Sequence, residues 1–110
     1  MSRIKEKFRE LNSKKEKALV SYIMVGYPSE SATLSAIRGL VKGGADIIEL
    51  GFPFSDPIAD GPVIQKASTG SLNNGIKIEK FFKLVKKIRS ETNIPLILIC
   101  LLYTSDAADE

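Results

Sequence analysis

The chain has no histidine and no tryptophan, and its 110 residues contain a single cysteine, Cys100. Without histidine there is no Ser-His-Asp triad, no imidazole base and no His-ligated metal centre. One cysteine makes neither an intrachain disulfide nor a multi-cysteine zinc site. Standing in an apolar run, Cys100 reads as a buried, inert thiol. Long hydrophobic runs are also missing. The longest, Ile94 to Tyr103, is well short of the ~20 residues that span a bilayer. The N-terminus mixes Glu6 and Glu10 with lysine and arginine and carries no apolar core of signal-peptide type. A reduced, cytoplasmic protein without membrane association is the expectation.

Charge of one sign is lacking as well. There are 16 basic and 13 acidic residues, a net charge of +3. The basic residues gather at Lys14, Lys15 and Lys17 and at Lys83, Lys86, Lys87 and Arg89, with little aromatic interleaving. No nucleic-acid signature results. These clusters read as solvated helix faces or, alternatively, as a surface that attracts anions. What is present is an ordinary globular apolar fraction, 44%, in a length that holds at most one small domain.

Apolar periodicity divides the chain into alternating elements. Ile4, Phe8 and Leu11 recur at helical spacing, which predicts a short helix over residues 2–12. "ALVSYIMV", Ala18 to Val25, reads as a strand covered on both faces. "GYPS" is a turn, after which Ser29 or Ser31 caps a helix running to about Val41, ended by Gly43 and Gly44. "ADIIELG" is a second strand. Pro62 suits the first position of a short helix to about Ser68, with Asp60 or Gly61 as its cap. Ile78, Phe81, Phe82, Val85 and Ile88 form the apolar stripe of a helix over about residues 77–91, and "IPLILICLLY" is a third buried strand. Buried strands alternating with helices imply parallel pairing.

"IELGFPFSDPIADGP", Ile48 to Pro62, is the segment with chemical content. Side chains alternate along a strand. If Ile48 and Leu50 pack on the helices, Glu49 faces the other way, at the carboxyl end where α/β proteins bind ligands. A carboxylate among apolar neighbours holds its proton more tightly, because lost hydration penalises the anion. It can then exchange protons near neutral pH. The alternative is a solvated glutamate, or one paired with a lysine. The loop that follows is too apolar for a purely solvated one. Its prolines stiffen it, and its aspartates supply further acids. Asp56 before Pro57 and Asp60 before Gly61 also have a reading as plain turn chemistry.

Glu49 with "GFPFSDPIADGP" closely resembles the signature of the tryptophan synthase alpha subunit family. The likeness extends through "RIKEKFRELNSKKEKALVSYIMVGYPS" before it and "VIQKAS" and "KKIRSETNIPLILI" after it, about residues 3–99. The resemblance implies part of a (β/α)8 TIM barrel, an α/β fold, with three parallel strands and intervening helices. It implies a lyase of tryptophan biosynthesis that cleaves indole-3-glycerol phosphate, by a retro-aldol step, to indole and glyceraldehyde 3-phosphate. Glu49 matches the general acid/base. Asp60 matches the second acid, which accepts a hydrogen bond from the indole N–H as positive charge develops there. Tyr22 falls at an aromatic wall of the substrate pocket, or is a core tyrosine. Cys100 and Leu101 fall near pocket-lining positions at the end of the third strand. No metal or organic cofactor is implied. The implied partner is a beta subunit in a heterotetramer, with Pro53, Asp56 and Pro57 at the contact.

The resemblance stops near Cys100, where "CLLYTSDAADE" replaces the family's pattern. Residues 1–100 are therefore expected to be a partial barrel domain, and 101–110 an unrelated, artefactual or disordered tail. A closed barrel needs eight strands and about 250 residues. The chain alone is thus expected to have little or no lyase activity, with open strand edges. Two other readings stand beside this one. The first is a non-catalytic interaction fragment that keeps the beta-subunit-binding loop. The second is another barrel enzyme acting on a phosphorylated sugar or indole compound.

Overall fold

A computed structural model describes residues 2–52, 61–73 and 77–99. Ser2 starts the first helix, α1 (Arg3–Ser13), by accepting a hydrogen bond from the Lys5 N–H at 3.2 Å. Strand β1 (Val20–Met24) follows. Helix α2 (Glu30–Lys42) is capped by Ser29, whose Oγ accepts from the Ala32 N–H at 3.1 Å, while Glu30 and Lys42 lie at the ends that the helix dipole favours. Strand β2 (Ile47–Gly51), helix α3 (Pro62–Asn73), helix α4 (Ile78–Glu91) and strand β3 (Leu96–Ile99) complete the described chain. Gly44, with φ of 101°, makes the left-handed turn between α2 and β2 that a side chain would resist.

The three strands form one parallel sheet in the order β1-β2-β3. The expected α/β architecture is present, with β2 in the middle. Ile48 and Leu50, both fully buried, join Val25, Leu34, Ile37, Phe81, Leu84, Ile88 and Ile94 in the core between the sheet and helices α2 and α4. Burying each such aliphatic or aromatic side chain contributes about 1.5–3 kcal/mol. Arg38 on α2 pairs with Glu91 on α4 at 2.7 Å, and Lys80 with Glu30 at 3.5 Å. Exposed pairs of this kind add at most about 1 kcal/mol each. Arg89 closes the end of α4, its Nη1 donating to the carbonyls of Thr92 (3.2 Å) and Ile94 (2.8 Å). Partial burial holds its guanidinium pKa below the ordinary value, with the Arg3 charge adding to the effect.

Three expectations need correction. The helix after Pro62 does not stop at Ser68 but continues to Asn73. Ser71, fully buried, donates its hydroxyl to the Val25 carbonyl at 2.6 Å and ties the extra turn to the end of β1. The apolar stripe of α4 is also displaced. Phe81, Leu84 and Ile88 are buried, whereas Ile78 is 42% and Phe82 50% exposed. Finally, β1 is shorter than "ALVSYIMV" and is not covered on both faces. Val20 and Tyr22 stand 43% and 38% exposed, because they lie on the sheet face turned away from helices α2 and α4.

Candidate functional site

Glu49 lies in β2 between Ile48 and Leu50, and both neighbours point into the helix-covered core. Alternation therefore sends the Glu49 side chain to the opposite face, as expected from the sequence. It is half-buried there. In the parallel register its partners are Tyr22 on β1 and Ile97 on β3, so all three side chains share one face of the sheet. Among the described residues Glu49 makes no ion pair with a lysine.

Tyr22 does more than share the face. Its ring extends along the sheet from the level of Glu49 to Gly51, and its Oη and Cζ occupy the space that a Cβ on Gly51 would fill. The strand end is well anchored at this point. The Val25 N–H donates to the Gly51 carbonyl at 3.0 Å, and the Phe52 N–H to the Ile99 carbonyl at 2.8 Å. Asp60, Pro53, Asp56, Pro57, Cys100 and Leu101 lie outside the described residues.

Two groups that the sequence reading passed over support this end of the sheet. Thr33 is fully buried near the start of α2. Its Oγ1 accepts from the Gly26 N–H at 2.8 Å and donates to the Ser29 carbonyl at 3.0 Å, fastening the β1–α2 turn. Ser71 is the other. With Gly70, whose missing Cβ leaves room for the Tyr27 ring, it seats α3 against that turn. Since α3 begins two residues after Asp60, this contact orients the helix into which the acidic loop runs. A threonine and a serine inside helices carry no signal that separates them from solvated ones. Replacing Ser71 with alanine leaves the buried Val25 carbonyl without this partner and is expected to lower the unfolding free energy by about 1–3 kcal/mol in urea titrations. A change within about 0.5 kcal/mol, the range of an ordinary surface substitution, would show that the bond contributes nothing.

A parallel sheet with helices packed on one face, and a half-buried acid on the other midway along its central strand, is an α/β arrangement that fits part of a (β/α)8 barrel. Residues 8–105 match the family model described as "Tryptophan synthase alpha chain". The chain belongs to the tryptophan synthase alpha chain family. It is 52% identical over 100 residues to the tryptophan synthase alpha chain of Aquifex aeolicus, covering 90% of this chain and 38% of that one. It is 54% identical over 101 residues to that of Methanosarcina acetivorans, covering 92% and 36%. Among solved structures, tryptophan synthase subunit alpha from Legionella pneumophila superposes with a TM-score of 0.88 at 40% identity, covering 91% of this chain and 38% of that one. The chain thus spans little more than a third of the length of the curated relatives it matches. Among the described residues no helix is long and apolar enough to cross a membrane.

Proposed function

We propose that this chain supplies the acid/base half of a lyase site that cleaves indole-3-glycerol phosphate to indole and glyceraldehyde 3-phosphate, in the cytoplasm. The observation that carries the proposal is the position of Glu49, on the sheet face turned away from the helices and level with Tyr22. In a retro-aldol cleavage the bond between the indole ring carbon and the glycerol side chain breaks. The ring carbon takes up a proton first, which places positive charge on the ring; the electron pair of the breaking bond then restores the aromatic system, and the adjacent hydroxyl loses its proton as it becomes the aldehyde. Glu49 is assigned to those two proton transfers. Asp60 is assigned to the indole N–H, where a fixed anion stabilises the positive charge that develops as the ring is protonated. Tyr22, with Cys100 and Leu101, is assigned to the walls of the ring pocket.

The loop bearing Pro53, Asp56 and Pro57 is assigned to a beta subunit that consumes the indole within a heterotetramer. The barrel portion is assigned to residues 1–100 at least; the family match runs on to residue 105, which leaves 106–110 outside it. The three strands among the described residues do not enclose a substrate, so the 110-residue chain is expected to release little or no indole by itself.

The test is a completed barrel, in which this chain is joined to the remaining strands and helices of the Aquifex aeolicus relative. Indole release from indole-3-glycerol phosphate is then measured. Asp60→Asn keeps the shape and removes the charge. It is expected to lower kcat about 10²- to 10³-fold, the scale on which one placed electrostatic group acts. An Asp60→Asn barrel as fast as its parent would remove Asp60 from the site.

A further inference from the structure

Gly51 ends β2 two residues beyond Glu49, on the same face of the strand. Glycine is not demanded there by the backbone. Among the described residues the positive-φ glycines are Gly26 and Gly44, and an extended strand residue can carry any side chain. What a Cβ at Gly51 would meet is the ring of Tyr22. Cζ lies 2.6 Å and Cε2 3.0 Å from the Cβ position, with Oη closer still, and these three are its nearest neighbours. Backbone adjustment offers no relief, since the Gly51 carbonyl and the Phe52 N–H are both held in the ladder. The ring is the part that can move. It sits at the far end of a side chain that is 38% exposed.

We propose that Gly51 is a positioning residue: its missing side chain is the slot in which the Tyr22 ring lies flat along β2, and this sets how near an aromatic ring stacked on Tyr22 can come to Glu49. The proposal rests on the reading of Glu49 and Tyr22 given above and extends it to a residue that touches neither proton nor substrate. A methyl group in the slot lifts the phenol toward the pocket. The substrate ring is then held away from the acid. The chain's stability stays nearly unchanged, because the group displaced is partly in solvent.

The experiment is a double-mutant cycle in the completed barrel. With Tyr22 present, Gly51→Ala is expected to reduce kcat/KM for indole release about 10- to 100-fold, the cost of misplacing a substrate by about 1 Å. The loss should divide between KM and kcat, since both ring binding and approach to the acid suffer. In a Tyr22→Leu background the same Gly51→Ala change should cost no more than about twofold, because nothing remains for the methyl group to displace. In Tyr22→Phe, where the nearest colliding atom is gone but Cζ remains, the cost should be intermediate. An equal penalty in the Tyr22 and Tyr22→Leu backgrounds, or none in either, overturns the proposal. The ring resonances of Tyr22, assigned by their loss in Tyr22→Leu, supply a readout independent of activity and should shift in Gly51→Ala. If Glu49→Gln leaves indole release intact while those resonances shift in Gly51→Ala, the acid/base role of Glu49 fails and the slot stands. If the resonances do not shift, the slot fails whatever the activity.

Discussion

Glu49→Gln in the completed barrel is expected to lower kcat for indole release by about 10²- to 10⁴-fold, the contribution of one positioned general acid/base. The amide is nearly the same size as the carboxylate and can occupy the same place on β2. It neither delivers a proton to the ring carbon nor accepts one from the glycerol hydroxyl. KM should change little, because the residues proposed above to line the pocket, Tyr22 and Asp60 among them, are unchanged. A fall in kcat and kcat/KM together, with substrate binding preserved, is the pattern of a group that acts in the transition state. A variant that releases indole at the parent rate would remove Glu49 from the chemistry. So would one whose loss lies wholly in KM. The size of the effect follows from geometry. On a strand, one residue's shift in register would turn the acid into the helix-packed core. Ile48 and Leu50, both fully buried, lock the register that keeps it out.

That register was legible in the sequence for a simple reason. A strand alternates with period two, so an acid between Ile48 and Leu50 is placed as soon as those two are placed. The helix caps were legible for a similar reason, since Ser29 acts on an N–H three residues away. What could not be read depends on contacts between residues distant in sequence. Helix α3 outlasts its expected end because Ser71 reaches Val25, 46 positions back. Leu84 takes the buried place expected of Phe82 because α4 is rotated to bring Phe81 edge-on to Phe52, with ring centroids 5.2 Å apart. Gly51 reads locally as the ordinary end of a strand. Its requirement comes from Tyr22, which reaches it only through the pairing of β1 and β2. Glu49 and Tyr22 were both singled out as candidates in the sequence. Their closeness follows from the register, in which Tyr22 stands directly opposite Glu49.

Phe81→Ala should produce the opposite kind of damage. The side chain is 1% exposed and lies in the cluster on the helix side of β2, in edge contact with Phe52. Removing it deletes the apolar surface it buries and leaves a cavity beneath Ile48 and Leu50, at a cost of about 3–5 kcal/mol. Urea unfolding of the completed barrel measures that loss directly. A cost below about 1 kcal/mol, the range of a single buried methyl group, would mean that α4 does not depend on this residue for its seat on the sheet. The acid faces the other way on the same strand. The fraction of Phe81→Ala that remains folded should therefore keep a kcat close to the parent's, whereas Glu49→Gln should unfold at the parent's urea concentration and turn over far more slowly. Substitutions at positions 49 and 81, on opposite sides of one strand, would then separate catalysis from stability. That separation is expected only if β2 is the wall between a packed layer and a pocket. If Phe81→Ala slowed the folded enzyme as much as it destabilised it, the two faces would be coupled and Glu49 would owe its placement to the helix layer as well as to strand register.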